Sequence, residues 1–97
     1  MDLFSAILRG MSSWFLYIVE CEDGSLYTGI AVDPEARFWA HCAGKGARYT
    51  RSHRPLRLLL TAAFPDRSTA SKAEYRVKQL PAAQKRLLRA EEILEMS

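Results

Sequence analysis

The sequence predicts an α+β fold of order ββαβαα, a three-stranded sheet flanked by helices. Three observations carry that prediction: two strand-like runs joined by an Asp-Gly turn, a third apolar run at Arg57 to Phe64, and helical periodicity between and after them. From Trp14 to Cys21 both alternating sets are apolar, Trp14, Leu16 and Ile18 against Phe15, Tyr17 and Val19, which predicts a central strand covered on both faces. Glu22-Asp23-Gly24 turns the chain, and Ser25 to Ile30 returns antiparallel, with Gly29 admitting the close approach of another group. Asp33-Pro34-Glu35 then opens a helix, because Asp caps free amides, Pro fits the first helical position and Glu suits the positive end of the dipole. That helix is expected to run to about Cys42.

Gly44-Lys45-Gly46 stops it and predicts an irregular, basic stretch through Pro55. Arg57 to Phe64 follows as the third strand, since Leu58-Leu59-Leu60 is too continuous to leave a face in water. Pro65-Asp66-Arg67-Ser68 ends that strand, with Ser68 placed to cap a helix whose Ala70, Ala73, Val77 and Leu80 form a buried stripe. Pro81 begins a last helix with an apolar line of Ala83, Leu87, Ala90 and Leu94. The organisation read from this is a loose extension over 1–11, a domain over 12–81, and a C-terminal helix over 82–97 packed on the same domain.

Ninety-seven residues make one small domain, and 48% hydrophobic with 26% charged residues is the balance of an ordinary globular chain. The opening Met1 to Gly10 carries an early acid and only a short apolar run, unlike a secretory signal or a membrane span, so a cytoplasmic protein without membrane partners is expected. Cys21 and Cys42 are the only cysteines, with no set of zinc ligands around them, and are expected to be reduced and buried. The net charge of +3 is unevenly spread: Arg37, Lys45, Arg48, Arg51, Arg54 and Arg57 precede Pro65 without an intervening carboxylate, whereas the first 35 residues hold six acids and one Arg. Such a field attracts polyanions, which points to DNA or RNA.

The candidate chemistry lies in the same region. Arg37 and His41, four apart, share one helical face, and Tyr17 and Tyr27 are brought side by side by the hairpin. A guanidinium, an imidazole and two phenols can handle a phosphate. Lys45, Arg48 and Arg51 suit backbone phosphates, and Tyr49 suits stacking on a base or sugar. Gly44-Lys45-Gly46 lacks the spacing of a nucleotide-binding P-loop.

Phe15-Leu16-Tyr17, Tyr27-Thr28-Gly29, Arg37 with His41, and Glu74 on the next helix together resemble the GIY-YIG nuclease superfamily, specifically its short stand-alone bacterial members. The resemblance spans about residues 13 to 81. It implies a divalent-metal-dependent endonuclease that hydrolyses phosphodiesters in DNA, with RNA as a second substrate class, directed by structure rather than by sequence. In that reading Glu74 holds one Mg²⁺ or Mn²⁺ with waters and a phosphate oxygen, and Arg37 clamps the phosphate. Tyr17, Tyr27 and His41 position or deprotonate the water, one tyrosine acting as proton acceptor. Three departures stand out: Phe15 replaces the first Gly of the motif, Ala31 replaces a hydroxyl residue, and the chain has no Asn to follow the metal glutamate. Two alternatives remain open, a non-catalytic or weakly catalytic nucleic-acid-binding module of the same fold and a protein-interaction domain. A monomer or weak homodimer is expected.

Overall fold

The computed structural model describes residues 14–96. Strand β1 spans Trp14–Cys21, β2 Leu26–Ala31 and β3 Pro55–Phe64, forming one antiparallel sheet of order β2-β1-β3. Helix α1 spans Pro34–Cys42, α2 Arg48–Ser52, α3 Arg67–Lys78, α4 Ala82–Leu87 and α5 Ala90–Leu94. The expectation for residues 1–11 falls outside the described residues.

β1 is central because both its faces are apolar, and Leu16, Tyr17, Ile18 and Val19 are all fully buried. The pleat sends Leu16 and Ile18 to one side, where they pack with Phe64, the α3 stripe of Ala70, Ala73 and Val77, and Ile93 of α5. Tyr17, Val19 and Cys21 go to the other side and meet Tyr27, Phe38, Tyr49 and Leu58. The sheet is thus sandwiched, α3 and α5 on one face and α1 with α2 on the other. Gly24, at φ +85°, makes the β1–β2 turn, closed by the Cys21 amide donating to the Ser25 carbonyl at 2.9 Å. Asp33 caps α1 by accepting from the Ala36 amide at 3.1 Å, with Pro34 in the first turn.

Four local expectations need correction. The basic stretch is not wholly irregular: Arg48–Ser52 forms one helical turn, ended by Pro55, which disfavours helical backbone in the residue before it. α3 is capped by Asp66, which accepts from the Thr69 amide at 2.8 Å, rather than by Ser68. The last helix is two helices separated by extended backbone at Leu88 and Arg89. That elbow turns Leu88, Ala90 and Ile93 inward and leaves Leu87 79% exposed, so the predicted apolar line does not form. Cys42 is exposed, while Cys21 is buried as expected.

Thr28 is buried on the α3 side of β2 opposite Ile18, and its hydroxyl meets no hydrogen-bond partner among the described residues. An orphaned buried hydroxyl costs about 1 kcal/mol or more, and valine has the same shape without it. Thr28→Val should therefore raise stability by about 1 kcal/mol, read as a higher midpoint in urea denaturation. A lower midpoint would show that the hydroxyl has a partner.

Candidate active site

Cross-strand pairing places Tyr17 opposite Gly29, and the Tyr17 ring lies over that glycine: a Cβ there would stand 2.6 Å from the phenol oxygen. Gly29 therefore serves the close approach of the chain's own tyrosine. Tyr27, two residues earlier on the same face, brings its ring centroid to 6.2 Å from that of Tyr17 and 5.2 Å from that of His41. α1 supplies His41 from above, and Tyr17 Oη and His41 Nε2 are 2.9 Å apart. His41 is 1% exposed, and its other nitrogen, Nδ1, lies 2.7 Å from Thr50 Oγ1 while accepting the Ala47 amide at 3.2 Å. Both ring nitrogens thus face protein groups.

Arg37, one turn before His41, is itself exposed. Burial and then Tyr27 push the Tyr17 phenol up to about 12; the Arg37 guanidinium, acting as donor and as charge, pulls the other way, and the Glu74 carboxylate adds to the rise. Tyr17 thus touches Tyr27 of β2 and His41 of α1 and feels the charges of Arg37 and Glu74. Burial, aided by the Arg37 charge, holds His41 below its ordinary range.

A histidine whose folded pKa is depressed makes the unfolded chain the better proton acceptor. Stability should therefore fall as pH drops below about 6.5, the ordinary histidine value, until the folded ring also titrates. Urea midpoints between pH 8 and 5 should show the decline, and His41→Gln should reduce it. An unchanged slope in that variant would assign the decline to other groups.

Glu74 leaves α3 beside the buried stripe, its side chain 22% exposed and 3.4 Å from Lys78 Nζ. Among the described residues no three His, Cys, Asp or Glu side chains gather as a metal cage. A single half-buried carboxylate suits Mg²⁺ or Mn²⁺, which keep several waters and bind through one or two carboxylates and substrate phosphates. It does not suit a structural zinc.

Lys45, Arg48 and Arg51 are exposed, the two arginines on α2, and no described carboxylate lies within ion-pair distance of them. Arg57 leaves the basic set, because its Nε lies 2.7 Å from Glu20 of the neighbouring strand, which Arg86 also binds. Tyr49 is less available than its position in the loop suggests. Its ring is stacked on His53 at 4.0 Å between centroids and on Tyr27 at 5.9 Å, so a base would have to displace one of them. Gly46, Ala47 and Thr50 were not legible as site residues. Their signal is faint, a second glycine after the helix stop and a lone hydroxyl nine residues past His41.

Two tyrosines on a hairpin, a helix bearing Arg and His, and a second helix bearing Glu define a class of domain, and residues 13–87 match the GIY-YIG catalytic domain family. This chain belongs to that family. Among its relatives are small bacterial proteins designated UPF0213. The UPF0213 protein Reut_B5558 of Cupriavidus pinatubonensis is 56% identical over 72 residues, covering 74% of this chain and 80% of that protein. The UPF0213 protein YhbQ of Escherichia coli is 49% identical over 81 residues, covering 84% of this chain and 81% of its own. The solution structure of EF2693 from E. faecalis superimposes with a TM-score of 0.52 at 38% identity, covering 75% of this chain and 78% of that one. Among the described residues no helix is long and apolar enough to cross a membrane.

Proposed function

We propose that this chain is a divalent-metal-dependent endonuclease that hydrolyses phosphodiester bonds in DNA, with RNA as a second substrate class. The observation that supports the reading is the Tyr17 phenol, 2.9 Å from His41 Nε2, beside Tyr27, and subject to the charges of Arg37 and Glu74. Arg37, exposed beside it, offers a planar fork to two phosphate oxygens and stays charged at any relevant pH. Tyr17 and Tyr27 orient the attacking water; Tyr17, as phenolate, receives its proton as oxygen adds to phosphorus, and the leaving oxygen, its P–O bond broken, takes a proton from solvent. That role requires Tyr17 first to lose its own proton, which burial opposes and the Arg37 charge favours. Glu74 would hold Mg²⁺ or Mn²⁺, whose charge offsets that gathering on the phosphate and acidifies oxygen donors nearby. Lys45, Arg48 and Arg51 would bind the flanking backbone through charge, which favours structure-directed over sequence-specific recognition.

The runner-up, a binding module of the same fold, is favoured by the absence of any Asn to assist Glu74. The two separate in a cleavage assay on single-stranded and branched DNA and RNA with Mn²⁺ or Mg²⁺. Products that disappear in EDTA and return with added metal are expected. Salt-sensitive binding with no product in either metal would instead establish the module.

A further inference from the structure

We infer that His41 is a positioning residue whose Nε2 proton is donated to Tyr17 Oη, and that the backbone amide of Ala47 locks it in that tautomer. The case starts from Nδ1, which has one in-plane lone pair or one proton, but not both. The Ala47 amide points its hydrogen at Nδ1 across 3.2 Å, and a backbone N–H cannot be rotated away. Were Nδ1 protonated, two N–H groups would face each other inside a closed site. Thr50 imposes no contrary demand, because its hydroxyl turns freely. It lies 2.7 Å from Nδ1 and 2.9 Å from the Ala47 carbonyl, and with Nδ1 bare it turns its one proton from that carbonyl to Nδ1. The fixed donor therefore decides, Nδ1 accepts, and the neutral ring carries its proton on Nε2.

The neighbours agree. The groups touching the ring are Tyr17 from β1, Tyr27 from β2, Thr50 from α2 and the Ala47 amide. None is a carboxylate that would favour a second proton, and Arg37 opposes one. The space is equally specific: Gly46 leaves room for the imidazole where a Cβ would stand 1.9 Å from Nδ1. Gly46 and Ala47 together are thus a seat and a lock for one tautomer.

The consequence falls on Tyr17. With His41 donating, the phenol oxygen is an acceptor on that side, and its own proton lies in the ring plane on the other side, away from the imidazole. The Arg37 guanidinium also acts on this oxygen. An oxygen that accepts the His41 N–H before any reaction, under the charge of Arg37, is organised to carry negative charge rather than to hand its proton to the histidine. His41, buried and engaged at both nitrogens, is accordingly an indirect partner of the water, acting through Tyr17. The catalytic consequence rests on the nuclease reading above, whereas the tautomer stands apart from it.

The test is nuclear magnetic resonance of the ring nitrogens in protein labelled with ¹⁵N-histidine. The chain has two histidines, so His53→Gln assigns both signals. His53 is an internal reference, because its Nδ1 lies 3.0 Å from the Tyr49 carbonyl, which can only accept. Expected are a protonated Nδ1 in His53 and, in His41, a bare Nδ1 with a protonated Nε2. Thr50→Val should leave the His41 pattern unchanged, since the Ala47 amide remains. A protonated Nδ1 in wild-type His41, or tautomer averaging there, overturns the inference. A flip confined to Thr50→Val transfers the lock from Ala47 to Thr50 and overturns that part of it. Cleavage supplies the second readout. His41→Gln keeps an N–H where Nε2 stands and should hold kcat at least about tenfold above His41→Leu at similar KM. Equal losses would make the ring a base instead. If no variant and no wild type cleaves, the nuclease reading fails while the nitrogen spectra still decide the tautomer.

Discussion

Glu74→Ala should reduce cleavage by about a thousandfold while leaving DNA binding within about threefold of wild type. The carboxylate is half-buried, its nearest ion-pair partner is Lys78, and no described cluster of acids or histidines stands by to replace it as a metal anchor. Its loss leaves the phosphate charge to Arg37 alone. Binding is expected to survive because Lys45, Arg48 and Arg51 are exposed on the other side of the sheet from α3 and carry the salt-dependent part of affinity. Folding should survive too, since an i,i+4 pair at a partly exposed position contributes about 0.5 kcal/mol or less. Two measurements check this, single-turnover cleavage at saturating metal and a salt titration of binding. Undiminished cleavage in the variant would remove Glu74 from the mechanism. A parallel loss of binding would make it part of the DNA surface instead.

Gly46→Ala should cost about 3 kcal/mol of stability and most of the cleavage activity. The added Cβ would lie 1.9 Å from His41 Nδ1, 2.6 Å from Cγ and 2.7 Å from Cε1. Relief would require the imidazole to move, but Tyr17, Thr50 and the Ala47 amide hold it on two sides. Either α1 lifts from the sheet or the ring leaves Tyr17, and both break buried hydrogen bonds. Gly44 supplies the contrast within the same loop. Its φ of +75° makes alanine strained by about 1 kcal/mol, yet a Cβ there meets nothing within 4 Å. Urea denaturation of the two variants should thus rank Gly46→Ala well below Gly44→Ala, and cleavage should fail only in the former. Equal midpoints would mean that the loop opens without disturbing His41.

Much of the site is written locally. Gly29 opposite Tyr17 follows from a two-residue alternation and an Asp-Gly turn, because antiparallel register is set once the turn is placed. Arg37 and His41 share a face because the helix repeat and the Asp33-Pro34 start fix their phase. The seat and lock of His41 had no such rule. Gly46 and Ala47 look like a helix stop, and Thr50 like one more loop hydroxyl, until α2 folds them under the imidazole. The basic run was likewise overcounted, since Arg57 is neutralised by Glu20, 37 residues earlier.

By itself the sequence determined the three strands, the first helix and the helix bearing Glu74, the buried faces of β1 and of that helix, and that two phenols, a guanidinium and an imidazole share one side of the sheet. These are properties of short periods and turn chemistry, decided within a few residues. Only the tertiary structure decided which cations stay available to a polyanion, why Tyr49 stacks inward, and which nitrogen of His41 faces Tyr17. Those outcomes depend on contacts between segments distant in the chain, where the direction of a single fixed N–H or the space left by a missing Cβ outweighs any local propensity.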